Sequence, residues 1–243
     1  MFCIKNILHF LVSLQVKKTI DVSKNKLEKF AENLTFPNFF QIPFEEISRH
    51  DASIKGQWNA DFFKNDNPIV LELGCGRGEY AITLAKLHPH LNFIGVDRKG
   101  ARMWKGCKYA IENHLPNVAF IRTQIQFLQH FFAENEVSEI WLTFPDPQPK
   151  RSKVAKRLTS SFYLDIYKRV LQPSGCIHLK TDSELLFDYT KEVIQKLDYK
   201  ILEIQEDIYG SDIENYALSI QTYYEKMWLE QGHKIYYMKF CLI

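Results

Sequence analysis

Residues Leu71-Glu72-Leu73-Gly74-Cys75-Gly76-Arg77-Gly78 decide the fold. The chain enters them from an apolar run, Ile69 to Leu73, that reads as a buried strand, and leaves through Glu79 to Leu87, where apolar residues recur at helical spacing. Three glycines at this turn let backbone approach a ligand, because no Cβ stands in the way. A dinucleotide site favours G-x-G-x-x-G with pyrophosphate on the helix N-terminus, whereas here the spacing is G-x-G-x-G with Glu72 two residues ahead of it. A carboxylate in that place suits a cationic amino-acid tail better than a diphosphate. The next apolar run, Asn92-Phe93-Ile94-Gly95-Val96-Asp97, ends in an acid at about the 20-residue offset of a ribose-binding carboxylate. Glycine-rich turns also serve plain backbone packing, but with Asp97 the pair of features points to a nucleotide-like ligand.

Outward from this turn, apolar runs alternate with helical patterns in the manner of a mostly parallel sheet with helices on both faces. Seven strands are expected near 69–74, 92–97, 118–122, 138–144, 175–181, 199–206 and 233–242, and helices near 78–88, 99–113, 124–133, 159–171, 183–196 and 214–230. The α/β domain spans 61–243. Residues 1–60 form an N-terminal extension, with a lysine-bearing helix candidate at Ser23 to Glu32 and an aromatic, proline-punctuated stretch from Phe36 to Phe44. Residues 1–15 are expected to be poorly ordered: the apolar run Ile7 to Val16 is interrupted by His9, Ser13 and Gln15, and is too short to span a bilayer.

Composition bounds the possibilities. A chain of 243 residues with 46% hydrophobic content can bury one sizeable core. Its formal net charge of +2 means that a polyanion would be met by a local patch and not by the whole surface. Cys3, Cys75, Cys107, Cys176 and Cys241 are scattered and lack C-x-x-C spacing, which argues against a disulfide framework or a zinc site and for a reducing, cytoplasmic setting. No metal, no membrane and no obligatory protein partner are expected.

The second informative stretch is Phe144-Pro145-Asp146-Pro147-Gln148-Pro149-Lys150-Arg151-Ser152-Lys153-Val154-Ala155-Lys156-Arg157. Its three prolines restrict the loop, so Asp146 and Lys150 are presented in limited positions. Ligands in open α/β sheets lie beyond the carboxyl ends of strands, so Asp146 is expected to face the ligand pocket. The basic run after it reads either as a solvated connection or as a phosphate-contacting loop. Lys180-Thr181-Asp182 closes the fifth strand, with Thr181 and Glu184 at capping-box spacing for the following helix. Thr222-Tyr223-Tyr224-Glu225 falls in the last expected helix.

These motifs, in this order and spacing, resemble the bacterial tRNA (guanine-N7)-methyltransferases from about Lys24 to the C-terminus, the K-N-K-L-x-K-F and T-F-P-N segments included. The resemblance implies a Rossmann-like class I methyltransferase fold that transfers a methyl group from S-adenosylmethionine to N7 of the variable-loop guanine of tRNA. It implies that Glu72, Gly74, Gly76, Gly78, Asp97, Gln124 and Asp146 bind the cofactor, Asp146 being also the catalytic acid. Lys150, Asp182, Thr222, Tyr223, Tyr224 and Glu225 would meet the guanine, and Arg151, Lys153, Lys156 and Arg157 the RNA. The chain departs from the pattern at Gln148, where many members carry Trp, and at Gln124, an amide able to hydrogen-bond an adenine edge without charge. Two other classes stay open on sequence: a methyltransferase of another substrate, and a non-catalytic RNA-binding relative. An oxidoreductase is opposed by the glycine spacing and by Glu72.

Overall fold

The computed structural model describes residues 26–210 and 216–243. Its centre is an eight-stranded sheet: β1 (Phe39–Gln41), β2 (Ile69–Leu73), β3 (Asn92–Asp97), β4 (Val118–Arg122), β5 (Val137–Thr143), β6 (Leu171–Thr181), β7 (Lys200–Gln205) and β8 (Tyr236–Cys241). The spatial order is β1-β4-β3-β2-β5-β6-β8-β7. Strands β1 to β6 pair in parallel, and β8 runs antiparallel between β6 and β7. The chain winds one way from β2 through β3 to β4 and the other way from β5 to β6, so the topological switch lies between β2 and β5. In open sheets of this kind that switch opens the ligand crevice.

The helices follow from the apolar spacing. They are α1 (26–33), α2 (Phe44–Ile47), α3 (Glu79–Leu87), α4 (Gly100–Glu112), α5 (Leu128–Phe131), α6 (Ser161–Val170), α7 (Glu184–Lys196), α8 (Tyr216–Ser219) and α9 (Tyr223–Glu230). All five residues of β2 are buried, as expected of a strand covered on both faces. One face packs Leu71, Ile94, Ile140 and Leu179 with Leu164, Leu186 and Ile194 of α6 and α7. The other packs Val70, Phe93 and Phe120 with Tyr80, Leu84, Met103 and Cys107 of α3 and α4. Each fully buried aliphatic or aromatic side chain contributes roughly 1.5–3 kcal/mol, and these two layers carry most of the fold.

Several elements differ from the sequence expectation, the short helix α2 and a π-helical turn at Trp58–Phe63 among them. The eighth strand, β1, lies in the aromatic stretch before residue 44 and pairs Phe39 with Phe120; three residues beside a proline are too few to show an alternating pattern. The helix expected near 124–133 is a 3-10 turn, Ile125–Phe127, followed by the single turn of α5. The helix expected near 214–230 is broken into α8 and α9, because Thr222 starts a new helix with a capping box to Glu225. The expectation for residues 1–15 falls outside the described residues. Residues of the N-terminal segment are fixed on the core: Asn33 donates to the Gly100 carbonyl at 2.9 Å, and the fully buried Trp58 donates from Nε1 to the Phe131 carbonyl at 2.9 Å.

Candidate active site

The glycine turn leaves β2 with Gly74, Gly76 and Gly78 all at positive φ, which keeps the backbone folded over the C-terminal end of the sheet. Two carboxylates hold it there. Asp97, at the end of β3, accepts from the Gly76 amide through Oδ2 (3.0 Å) and from the Lys99 amide through Oδ1 (2.8 Å). Glu72 accepts from the Ala81 amide in the first turn of α3 through Oε2 (2.9 Å) and from the Thr143 hydroxyl through Oε1 (2.8 Å), tying β2, α3 and β5 together. Burial pushes the Glu72 carboxyl up to about 7, the two hydrogen bonds opposing that rise and the negative charges of Asp97 and Glu79 adding to it.

Glu72, Gly74, Gly76, Tyr80, Asp97 and Thr222 line a cleft of about 130 Å³ above this turn, with Thr143 and Phe144 on the β5 side. A Cβ added at Gly74 or Gly76 would meet nothing within 4 Å, so open space lies directly over their backbone. Next to the cleft lies a hollow of about 470 Å³ lined by Gln41, Phe44, Arg98, Lys99, Thr123 and Gln124. Asp97 borders the first space and its neighbour Arg98 the second. Small-molecule sites occupy roughly 300–1,000 Å³, a range that the hollow reaches by itself and the cleft only together with it. Gln124 is exposed in the hollow and shares no wall with Glu72.

The proline loop leaves β5 beside the cleft. Phe144 and Gln148 adopt left-handed backbone at φ 51° and 44°, each costing on the order of 1–3 kcal/mol, and the surroundings must hold them there. The Phe144 amide donates to the Lys180 carbonyl at 2.8 Å, and the Gln148 amide donates to Asp146 Oδ1 at 3.0 Å. Asp146 is exposed and is not among the residues that line the cleft, whose wall on this side is Thr143 and Phe144, whereas the sequence reading has it facing the pocket.

Lys150, Arg151, Lys153 and Lys156 are exposed on and just before a 3-10 turn, Arg151–Lys156. Arg157 corrects the expectation that it contacts RNA. It is buried, its Nε donates to the Pro147 carbonyl at 3.0 Å and Nη2 to the Gln148 carbonyl at 3.3 Å, and its guanidinium lies 4.3 Å over the Tyr189 ring. It holds the proline loop in shape.

At the end of β6, Asp182 is half-buried and reaches the same edge of the sheet. The helix after it is capped by Ser183, whose hydroxyl accepts from the Leu186 amide at 3.3 Å; Thr181, expected to cap, instead accepts from the Ser183 amide at 3.1 Å. Thr222 borders the cleft. Glu225 corrects the expectation of a guanine contact: its side chain is fully buried, Oε1 lies 2.7 Å from Lys180 Nζ and accepts from the Tyr209 hydroxyl at 2.9 Å, and Oε2 accepts from the Thr222 amide at 3.3 Å. Burial raises the Glu225 carboxyl and lowers the Lys180 ammonium, while each charge opposes the shift of its partner. The side chains of Tyr223 and Tyr224 lie outside the described part of the structure.

Sequence reading missed Thr143, Tyr80, Tyr209 and the buried role of Lys180. Only Lys180 left a signal, a cation in the middle strand region of a sheet expected to be covered on both faces. Among the described residues no cluster of His, Cys, Asp and Glu has the makings of a metal site, and no helix is long and apolar enough to cross a membrane.

A family model described as "Putative methyltransferase" matches residues 66–238. The chain is 51% identical over 221 residues to a tRNA (guanine-N(7)-)-methyltransferase of Bacteroides fragilis, covering 91% of this chain and 87% of that protein. It is 50% identical to the protein of that name in Christiangramia forsetii, covering 90% and 98%. Among solved structures it is similar to the 16S rRNA methyltransferase KamB, with a TM-score of 0.59 at 13% identity over 79% of this chain and 94% of that one, a likeness of fold.

Proposed function

Because the chain belongs to the tRNA (guanine-N(7)-)-methyltransferase family, we propose that it methylates N7 of the variable-loop guanine of tRNA, with S-adenosylmethionine as donor. One observation carries the reading. The proline loop with Asp146 begins at Thr143 and Phe144, the residues that close the cofactor cleft, so donor and acceptor sides share one wall at the β2/β5 switch.

The residues present fit the cofactor. Open space over Gly74 and Gly76 admits it, Asp97 keeps a free lone pair on each oxygen for ribose hydroxyls, and the Glu72 carboxylate suits a cationic amino-acid end. Gln124 in the adjoining hollow suits an adenine edge. When bound, the cofactor supplies an electrophilic methyl carbon on a sulfonium. Guanine N7 carries a lone pair and no proton, so no general base is needed, and the work of the protein is alignment, which can contribute several kcal/mol. Asp146, on the loop that leaves this wall, offsets the positive charge that the purine acquires. Lys150, Asp182 and Thr222 orient the base, and Arg151, Lys153 and Lys156 contact phosphates.

The test is incubation of the enzyme and cofactor with an unmodified tRNA transcript, followed by mapping of 7-methylguanosine. A single methylated guanine in the variable loop is the expected result. Methylation elsewhere, or only of small molecules, would overturn the reading.

A further inference from the structure

We propose that Lys180 is a positioning residue that fastens the proline loop and the 216–225 segment into one acceptor wall, with Tyr80 and Glu225 as its partners. The proposal rests on the reading that the chain methylates tRNA. Lys180 is fully buried, and its ammonium is saturated: it donates to the Leu218 carbonyl at 2.7 Å and the Ile220 carbonyl at 2.9 Å, and pairs with Glu225 Oε1 at 2.7 Å. An ammonium has three donors, so none is left for a substrate. Its backbone carbonyl meanwhile accepts from the Phe144 amide, where the proline loop turns left-handed. One residue thus bonds the start of the Asp146 loop through its main chain and the 216–225 segment through its side chain.

The partners extend the fastening. The Tyr80 hydroxyl, rooted in α3 beside the glycine turn, donates to the Ala217 carbonyl, and the Tyr80 ring lies 5.6 Å from Lys180 Nζ. Glu225 passes the constraint to Thr222 through the capping box, and Thr222 borders the cofactor cleft. A buried ion pair is a poor source of stability, since an apolar pair of the same volume is often at least as good. What this pair supplies is direction: it selects one placement of α8 and of the α9 N-terminus against the sheet.

The test uses the full-length enzyme with a double variant, Lys180→Met/Glu225→Gln, which removes both charges without stranding either. Expected are cofactor affinity within about threefold of wild type, kcat toward tRNA lower by about tenfold or more, and faster hydrogen exchange at the 216–222 amides, from loss of charge-assisted hydrogen bonds. Tyr80→Phe, which deletes one neutral hydrogen bond, should lower kcat by about threefold to fivefold and covers the case in which the double variant fails to fold. Wild-type kcat in either variant overturns the proposal, as does wild-type exchange protection. Should the wild-type enzyme methylate no tRNA, the functional reading falls, and the exchange measurement still decides the fastening by itself.

Discussion

The two walls of the proposed site use charge in opposite ways. On the cofactor wall the carboxylates Glu72 and Asp97 touch the ligand space and hold the backbone around it with the same oxygens, because acceptors with several lone pairs can do both. On the acceptor wall the charges divide. Lys180, Arg157 and Glu225 are buried and hold chain segments, whereas Asp146, Lys150, Lys153 and Lys156 are exposed. A cofactor of fixed shape can be met by residues fixed from strand ends, but a bulky polyanion needs an exposed surface that something else must hold rigid.

The sharpest contrast on the cofactor wall is between two of its glycines. A Cβ at Gly78 would lie 2.4 Å from the Phe120 ring in left-handed backbone, so Gly78→Ala should cost about 4 kcal/mol by clash and strain together. Gly76→Ala meets only open space and should cost about 1 kcal/mol while blocking the cofactor. Urea titration of both variants measures the difference; equal costs would mean that Phe120 yields.

Glu72 should show the expense of building that wall from a buried acid. Its native pKa of about 7 lies above its ordinary value of 4.5, so the folded protein keeps a proton that the unfolded chain has released between those pH values. The stabilisation is complete below 4.5 and is lost as pH rises through 7, on the order of 3 kcal/mol. Urea melts from pH 5 to 8 should slope downward in the wild type and flatten in Glu72→Gln. A cationic ligand end should bind more tightly as the carboxyl ionises, and cofactor affinity that is flat across pH 7 would detach Glu72 from the ligand.

On the acceptor wall Asp146→Asn should lower kcat by about 100-fold at near-normal KM, since the swap keeps shape and removes only the charge offsetting the purine. Full kcat with a raised cofactor KM alone would move Asp146 to the other wall. The smallest effect separates exposed from buried cations. Lys153→Ala/Lys156→Ala should reduce the salt slope of tRNA binding by about 1.5, roughly 0.7–0.9 for each lost phosphate contact. Arg157→Ala should leave that slope unchanged and lower kcat by loosening the loop. Identical slopes in all three proteins would mean that the 3-10 turn faces away from the RNA.

The glycine turn and the two carboxylates that hold it were largely legible in the sequence. Glycine spacing, a carboxylate two residues ahead and an acid ending the next apolar run are local patterns, carried on strands that are mostly apolar apart from Glu72 and the ends of β3. The acceptor wall was legible only as motifs. Nothing within Arg157 or Glu225 says whether a charged side chain points to solvent or inward, because that depends on how the proline loop folds back to offer the Pro147 and Gln148 carbonyls and on residues from other segments, Tyr189 in one case and Lys180 and Tyr209 in the other. The break before α9 had a local sign, the Thr222 and Glu225 capping-box spacing, which an amphipathic reading of 214–230 passes over. The strand at Phe39–Gln41 had none.

The Phe120 ring is the close neighbour of three separate glycines: added Cβ atoms at Gly78, Gly95 and Gly106 would lie 2.4, 2.8 and 2.6 Å from their nearest atoms, the ring being nearest or second nearest each time. Phe120 and these glycines therefore interlock, and their side-chain volumes are one shared quantity. Drift at any one of the three glycines is closed to the protein while the ring remains, and shrinking the ring first would leave a hole under the turn. Such a group changes together or stands still, so the floor under the glycine turn is set by Phe120 even though that ring is not among the residues lining the cleft.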